Sequence, residues 1–177
     1  MNDEQNRARF EDLLLPLMKD AYNLARWLMR NQEDAEDMVQ ESYLRAFRFF
    51  SSFHEGKNCR AWFLRIVRNT CYNGLSARNL KQKQVPLDSE ANEIADTSPL
   101  PSASLSKKAT AEAVREAIAA LPIDFREVVV LRELEGLSYK EISEVSGVPI
   151  GTVMSRLARA RHQLYLMLAD RKVHDQL

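Results

Sequence analysis

Residues 137–161 read LSYKEISEVSGVPIGTVMSRLARAR, and this stretch predicts two helices separated by a sharp turn. Ser138 and Glu141 have the spacing at which each side chain accepts a hydrogen bond from the other residue's backbone N–H at a helix start. Gly147 can adopt a positive φ at little cost, and Pro149 suits the first turn of the next helix. Local chemistry alone therefore predicts helix, turn and helix.

The second helix of this pair has one apolar face and one polar, basic face. The apolar face recurs at helical spacing through Val153, Leu157, Ala160 and Leu164. The opposite face and its flank carry Thr152, Ser155, Arg156, Arg159 and His162. Hydroxyl and guanidinium groups bond well to base edges and phosphates, so the pattern predicts a DNA-reading helix-turn-helix. A helix with a solvated basic face is the plainer alternative.

The composition limits the class of protein. At 177 residues the chain has room for two compact helical domains. Its five separated glycines offer no phosphate-cradling loop, which disfavours a nucleotide-binding enzyme. Cys59 and Cys71 are too far apart for a CxxC pair and too few for a zinc site unless histidines join them. We therefore predict buried or idle thiols, no metal and no cofactor.

The beginning of the chain, Met-Asn-Asp-Glu-Gln-Asn-Arg, lacks the basic start and apolar run of a secretion signal. No apolar stretch of the sequence approaches the roughly 20 residues that span a bilayer. We therefore expect a cytoplasmic protein with no direct membrane insertion.

The formal net charge is zero, but the charges are segregated along the chain. Every charge in residues 33–41 is acidic, and every charge in residues 56–87 is basic. Acidic residues return in 88–96, before the basic residues of 156–161. This segregation predicts two basic surfaces that meet a polyanion and an acidic surface that meets a different partner.

Apolar residues at helical spacing predict three long helices in the first half of the chain. The first covers about residues 9–30, with Pro16 near its start or at a kink. The second begins near residue 34 and runs towards residue 50, and the third follows the short segment 51–58. Helices of this length form a plausible bundle.

These patterns predict an all-α fold of two small domains. Residues 1–80 form an N-terminal helical bundle, and residues 108–177 form a four-helix domain that ends in the helix-turn-helix. The flexible linker between them, residues 81–107, is rich in proline, serine and acidic residues.

The third helix carries a stripe of one aromatic and three polar side chains. Its members are Trp62, Arg65, Asn69 and Asn73, at positions i, i+3, i+7 and i+11. An aromatic surface for stacking, amides for a base edge and a cation for the backbone suit single-stranded DNA. Trp62 has a plainer alternative role as an anchor of the core.

Together these segments resemble bacterial RNA polymerase sigma factors of the small, two-domain extracytoplasmic-function (ECF) group. DAEDMVQE at residues 34–41 is similar to the segment with which these factors dock on core polymerase, and WFLRIVRN at 62–69 to their promoter-melting segment. Leu121-Pro122 and GTVMSR at 151–156 are similar to their fourth region. Three motifs in this order are far more specific than any one of them.

The resemblance implies roles for individual residues. Docking on core polymerase falls to Asp34, Asp37, Gln40 and Glu41. Recognition of the single-stranded -10 element falls to Trp62, Arg65, Arg68, Asn69 and Asn73. Recognition of the duplex -35 element falls to Thr152, Ser155, Arg156 and Arg159. For the docking residues there is a plainer alternative: they are a solvated acidic helix start, which the helix dipole favours.

Two positions depart from the pattern of the family. Met154 stands where arginine or lysine is frequent, so the contact to the -35 element at this point is either absent or apolar. Tyr72 stands where a basic residue is common in the family. The resemblance therefore does not imply a phosphate contact at this position.

The resemblance implies a dissociable initiation factor that performs no catalysis, is monomeric when free and directs core RNA polymerase to promoters. It further implies control by an anti-sigma factor in response to a stress or envelope signal. A dimeric helix-turn-helix regulator acting without polymerase is one alternative, but it leaves the acidic helix and the Trp62 stripe unexplained. A sigma-like decoy that binds an anti-sigma protein is another, and it leaves the retained arginines unexplained.

Overall fold

The computed structural model describes residues 3–54, 56–84 and 105–174. Every regular element within these ranges is helical, which confirms the predicted all-α class. Residues 85–104, most of the predicted linker, lie outside the described residues. The two ends of that linker are helical, because the helix before it continues to Gln84 and the helix after it begins at Leu105.

Eight α-helices make up the described parts of the chain. In the first half they are α1 (Asp3–Leu14), α2 (Met18–Met29), α3 (Gln32–Phe49) and α4 (Cys59–Gln84). In the second half they are α5 (Leu105–Ala120), α6 (Ile123–Val129), α7 (Tyr139–Ser146) and α8 (Ile150–His174). A π-helical turn, Val130–Leu134, extends α6.

The predicted single first helix is wrong in one respect, because it is two helices. A short 3-10 turn, Leu15–Leu17, separates α1 from α2. Pro16 lies inside this turn, where it has no N–H to continue the α-helical ladder. Of the two alternatives for Pro16, the kink is the one observed.

The N-terminal bundle packs α2, α3 and α4 around a fully buried apolar core. Its largest buried side chains are Leu14, Leu24, Leu28, Phe50, Phe63 and Leu64. Helices α3 and α4 approach closely at Gly74, where an added Cβ would lie 2.8 Å from the sulfur of Met38. Asn31 caps α3, since its Oδ1 accepts a hydrogen bond from the backbone N–H of Asp34 at 2.9 Å. This cap fixes where the acidic face of α3 begins.

The C-terminal domain contains the predicted helix-turn-helix. Ser138 Oγ accepts a hydrogen bond from Glu141 N at 3.2 Å, and Glu141 Oε2 accepts one from Ser138 N at 2.8 Å, which confirms the capping box. Gly147 ends α7 with a φ of 73°. Pro149 immediately precedes α8, and its carbonyl accepts the backbone N–H groups of Thr152 and Val153.

Gly147 is the position at which the turn depends most on residue type. Replacing Gly147 with valine is expected to lower the free energy of unfolding by about 1–2 kcal/mol, because a β-branched residue is strained at positive φ. Gly151→Ala is the matched control, since an added Cβ there meets no atom within 4 Å and its φ is not positive. Urea denaturation of both variants measures the effect. Equal stability of Gly147→Val and wild type would contradict it.

Candidate functional site

The predicted docking residues of α3 differ in how accessible they are. Asp37 and Gln40 are exposed. Glu41 is half-buried and accepts a hydrogen bond from Arg45 Nε at 2.8 Å, one turn further along. Asp34 forms an ion pair with Arg78 of α4. Asp37 and Gln40 are therefore the two docking candidates that face solvent most directly.

Two apolar side chains continue this face of α3 and were missed by the sequence reasoning. Leu44 and Phe47 are 57% and 50% exposed, although large apolar side chains of a helix are normally turned inwards. They follow Gln40 at i+4 and i+7, so helical spacing places them on the same side of α3. The same spacing rule applied to the sequence could have found them. Carboxylates followed by exposed apolar side chains are typical of a protein-binding surface.

The predicted stripe of α4 lies at the surface, with one partly buried member. Arg65, Asn69 and Asn73 are exposed. Trp62 is half-buried, and its ring centroid lies 4.9 Å from that of Phe53. The ring of Trp62 therefore packs on the core, as the anchor role predicts, and part of it remains accessible, while the stacking role stays a prediction.

Arg68, the fifth predicted -10 residue, contacts the other domain. Its Nε donates to Glu127 Oε1 of α6 at 2.7 Å, and Nη2 lies 3.4 Å from Oε2. Its guanidinium carbon lies 3.8 Å from the ring centroid of Tyr72, a cation–π arrangement. The Tyr72 hydroxyl donates to Glu127 Oε2 at 2.8 Å and lies 3.2 Å from Asp124 Oδ1.

A second group of contacts joins the start of α4 to the C-terminal domain. Asn58 caps α4 through its Oδ1, while its Nδ2 donates to Glu141 Oε1 at 2.7 Å. Arg60 donates to the backbone carbonyl of Glu135 at 2.9 Å and also forms an ion pair with Asp20 at 2.7 Å. Two cations of the basic segment, Arg60 and Arg68, therefore contact acceptors of the chain's own second domain.

The predicted -35 residues lie on α8. Arg159 and Ser155 are exposed, and Thr152 is half-buried. Arg156 Nη2 forms an ion pair with Asp124 Oδ2 at 3.3 Å. Met154 is 52% exposed, so an apolar side chain projects from the face that was predicted to read DNA.

The interdomain charges change the proton affinities of the groups that they contact. Burial and then the charge of Glu127 raise the pKa of the Tyr72 phenol far above its usual range. Burial lowers the pKa of Arg68, but the hydrogen bond and charge of Glu127 more than offset this, so that its pKa is raised. Arg68 therefore stays charged and Tyr72 stays a hydrogen-bond donor.

The thiols have the environment of structural cysteines. Burial raises the pKa of Cys71 to about 12, and burial also raises the pKa of the half-buried Cys59. A raised thiol pKa suppresses the reactive thiolate form.

Within the described ranges, none of the helices combines the length and apolarity needed to span a membrane.

Two family models match this chain, one in each of its two helical domains. The model "Sigma-70 region 2" matches residues 13–80, and "Sigma-70, region 4" matches residues 111–164. The first segment contains the predicted docking residues of α3 and the predicted stripe of α4, and the second contains the helix-turn-helix. The fold and these surfaces thus define a two-domain protein of the sigma-70 type.

Two curated relatives show which group of sigma-70-type proteins the chain belongs to. The chain is 35% identical over 147 residues to the ECF RNA polymerase sigma-E factor of Haemophilus influenzae, covering 80% of this chain and 77% of that protein. It is 33% identical to the ECF RNA polymerase sigma factor SigE of Mycolicibacterium smegmatis, over 94% of this chain and 64% of that longer protein. The chain belongs to the ECF sigma factors, as the sequence motifs predicted.

A solved structure shares both domains. The sigma factor RpoE of Bartonella quintana, determined in complex with the anti-sigma factor NepR, has a TM-score of 0.73 and 29% identity. The match covers 91% of this chain and 97% of that one, so it includes both helical domains.

Proposed function

We propose that this protein binds core RNA polymerase through α3 and directs it to promoters by reading the -10 element with α4 and the -35 element with α8. The observation that carries the proposal is the presence of all three surfaces, in family order, on one chain. It acts in the cytoplasm, where polymerase and promoters are found, and performs no catalysis of its own. The division into residues 1–80, 81–107 and 108–177 assigns docking and -10 recognition to the first domain and -35 recognition to the last.

On α3, the docking surface consists of Asp34, Asp37, Gln40 and Glu41, and we extend it to Leu44 and Phe47. Exposed apolar side chains next to a carboxylate row supply the desolvated centre that a stable interface needs, while the charges select a basic partner. On α4, Trp62 offers a stacking surface for an unpaired base, and the exposed Arg65, Asn69 and Asn73 supply polar contacts. Arg68 completes this set when it is released from Glu127.

An anti-sigma factor is part of the proposal. The Bartonella quintana factor that shares both domains of this chain was solved with such a partner. We expect a protein of the same kind to hold this chain inactive until a stress or envelope signal releases it.

The test begins with the promoter. Sequencing the transcripts induced by overproduction of the protein identifies candidate promoters, and run-off transcription with purified core enzyme then tests them. Start sites that require both core enzyme and this protein are the expected result. Specific duplex binding by the protein alone, unchanged by core enzyme, would favour the dimeric regulator. Absence of a start site at every promoter would favour the decoy.

Met154 gives this factor a distinctive expected readout at the -35 element. Its side chain and that of Ile150 are both exposed, one turn apart on α8. Apolar side chains in the major groove recognise the methyl group of thymine. We therefore expect replacement of the contacted thymine by uracil, which removes only that methyl, to weaken binding by holoenzyme about threefold to tenfold.

The Met154→Ala variant is the control for this effect, because it should bind thymine and uracil promoters equally. Measuring both proteins on a series of promoters with single uracil substitutions locates the contact. A wild-type holoenzyme that is indifferent to uracil throughout the -35 element would show that no apolar contact exists there.

A further inference from the structure

The C-terminal end of α3 carries an exposed aromatic side chain that the proposed function does not use. Phe49 is the last residue of this helix and is 60% exposed, more than Leu44 or Phe47 of the docking surface. Its chain neighbour Phe50 is 1% exposed and anchors the end of the helix in the core. Phe49 is therefore held at the surface by a well-packed support.

Two arginines lie next to Phe49 on α3. Arg48 and Phe49 follow Arg45 at i+3 and i+4, the spacings at which side chains are neighbours on a helix surface. In residues 42–54 these two arginines are the only Lys, Arg, Asp or Glu. Arg45 pairs through Nε with Glu41, whereas Arg48 is exposed and forms no hydrogen bond or ion pair with any residue that the structure describes. The end of α3 is therefore an aromatic surface with an available cation.

This surface is distinct from the docking surface on the same helix. Each residue of an α-helix turns the chain by about 100°, so Phe49 points about 200° away from Phe47. The charge changes along the helix as well, from Glu33 and Asp34 in the first turn to Arg48 in the last. The two ends of α3 therefore suit different partners, a basic protein at the start and a polyanion at the end.

Packed aromatic rings connect the end of α3 to the stripe of α4. The ring centroid of Phe53 lies 6.0 Å from that of Phe50, with the two planes 13° apart, and 4.9 Å from that of Trp62. The rings of Phe50 and Trp62 are themselves 6.4 Å apart. Because Phe49 directly precedes Phe50, its surface lies beside the one proposed to read the -10 element.

We propose that Phe49, Arg45 and Arg48 form a second surface for single-stranded DNA, which holds unpaired nucleotides that flank the -10 element. A base of any identity stacks on Phe49, and the guanidinium groups bind the adjoining phosphates. This inference rests on the proposed function and adds a binding site to it. The site extends the captured strand beyond the stripe of α4, so that more of the opened promoter is held by the factor.

The test uses holoenzyme and forked probes without a -35 element, in which the single-stranded -10 element is extended by unpaired nucleotides on both sides. One flanking nucleotide at a time is replaced by an abasic site, which removes the base and keeps the phosphate. We expect one abasic position to weaken binding by wild type about tenfold, because the stacking contribution of that base is lost. This position locates Phe49 on the strand.

Two substitutions of Phe49 separate base stacking from simple apolar contact. Phe49→Trp keeps an aromatic face and should bind the intact probe at least as tightly as wild type. Phe49→Leu keeps an exposed apolar side chain but has no ring. It should bind the intact probe about tenfold more weakly and be indifferent to the sensitive abasic position. Phe49 is mostly exposed, so neither change should destabilise the bundle.

Arg48→Gln tests the phosphate contact. Each phosphate neutralised on a single strand contributes about 0.7 to the slope of log affinity against log salt concentration. We therefore expect this slope to be about 0.7 shallower for Arg48→Gln, while its response to the abasic positions matches that of wild type. An unchanged slope would overturn the phosphate contact.

Tyr165→Ala is the matched control, because it removes an aromatic side chain of α8 that is 70% exposed and lies outside the proposed site. Holoenzyme with this variant should bind every probe as wild type does. Phe49→Leu should also compete for purified core enzyme as well as wild type does, since the docking surface lies elsewhere on α3.

The outcomes separate this inference from the proposed function. Wild-type holoenzyme that initiates at promoters, while Phe49→Leu binds every probe as wild type does, would overturn the second surface and leave the initiation function standing. Loss of core binding by Phe49→Leu would assign the exposed ring to polymerase and would also overturn it. Wild-type protein that initiates at no promoter would overturn the proposed function itself.

Discussion

Replacing Asp37 by lysine is expected to weaken binding to core RNA polymerase by about 100-fold or more, because like charges brought together at an interface cost several kcal/mol. Asp37 is exposed near the start of α3, so the substitution breaks no contact inside the fold. It lies between Asp34 in the first turn of the helix and the apolar pair Leu44 and Phe47. Competition between labelled wild-type factor and each variant for purified core enzyme measures the loss.

Asp12→Lys is the control for this prediction. It makes the same charge reversal at an exposed position of α1, one residue before the segment matched by the region 2 model. Core binding by Asp12→Lys should be close to that of wild type, and both variants should melt at the wild-type temperature. Undiminished binding by folded Asp37→Lys would mean that the acidic face of α3 is solvated and that polymerase docks elsewhere.

The parts of the fold that the sequence predicted are those determined by nearby residues. The capping box at Ser138 and Glu141 and the positive φ at Gly147 depend on neighbours within a few positions. A kink at Pro16 was one of two alternatives for that residue, and the structure replaces the single predicted helix with two. The two faces of α8 follow from helical spacing in the same way. Leu44 and Phe47 belong to this group too, since extending the spacing beyond Gln40 would have identified them.

The contact between the domains could not be predicted in this way. Arg68 and Glu127 are 59 positions apart and lie on opposite sides of the predicted linker. In the sequence each is one of many charges of its sign, and no spacing rule relates them. Segregated charge predicted that the basic segment meets a polyanion, but it could not distinguish DNA from the carboxylates of α6. Tyr72, noted only as a departure from the family pattern, proves to be part of that contact.

Replacing Arg65 and Asn69 by alanine is expected to abolish promoter opening by holoenzyme while leaving binding to the -35 element intact. Both side chains are exposed on α4, one turn apart, so their loss should not destabilise the bundle. A hydrogen bond made by a charged group such as Arg65 contributes about 1.5–3 kcal/mol and one made by the neutral Asn69 about 0.5–1.5 kcal/mol, so losing both contacts should weaken capture of the single-stranded -10 element about 100-fold. Holoenzyme binding to a forked probe and to a duplex -35 probe measures the two effects separately.

Asn79→Ala provides the matched control for this prediction, because it removes an exposed amide from the same helix beyond the stripe. Permanganate reactivity of unpaired thymines then reports opening directly. Unpairing a base costs a few kcal/mol, which the stripe must offset by binding the extruded strand. If this capture opens the promoter, the double variant should form a closed complex with unreactive thymines. Normal reactivity in the double variant would instead assign the opening to Trp62 and Arg68, the stacking surface and the cation released from Glu127.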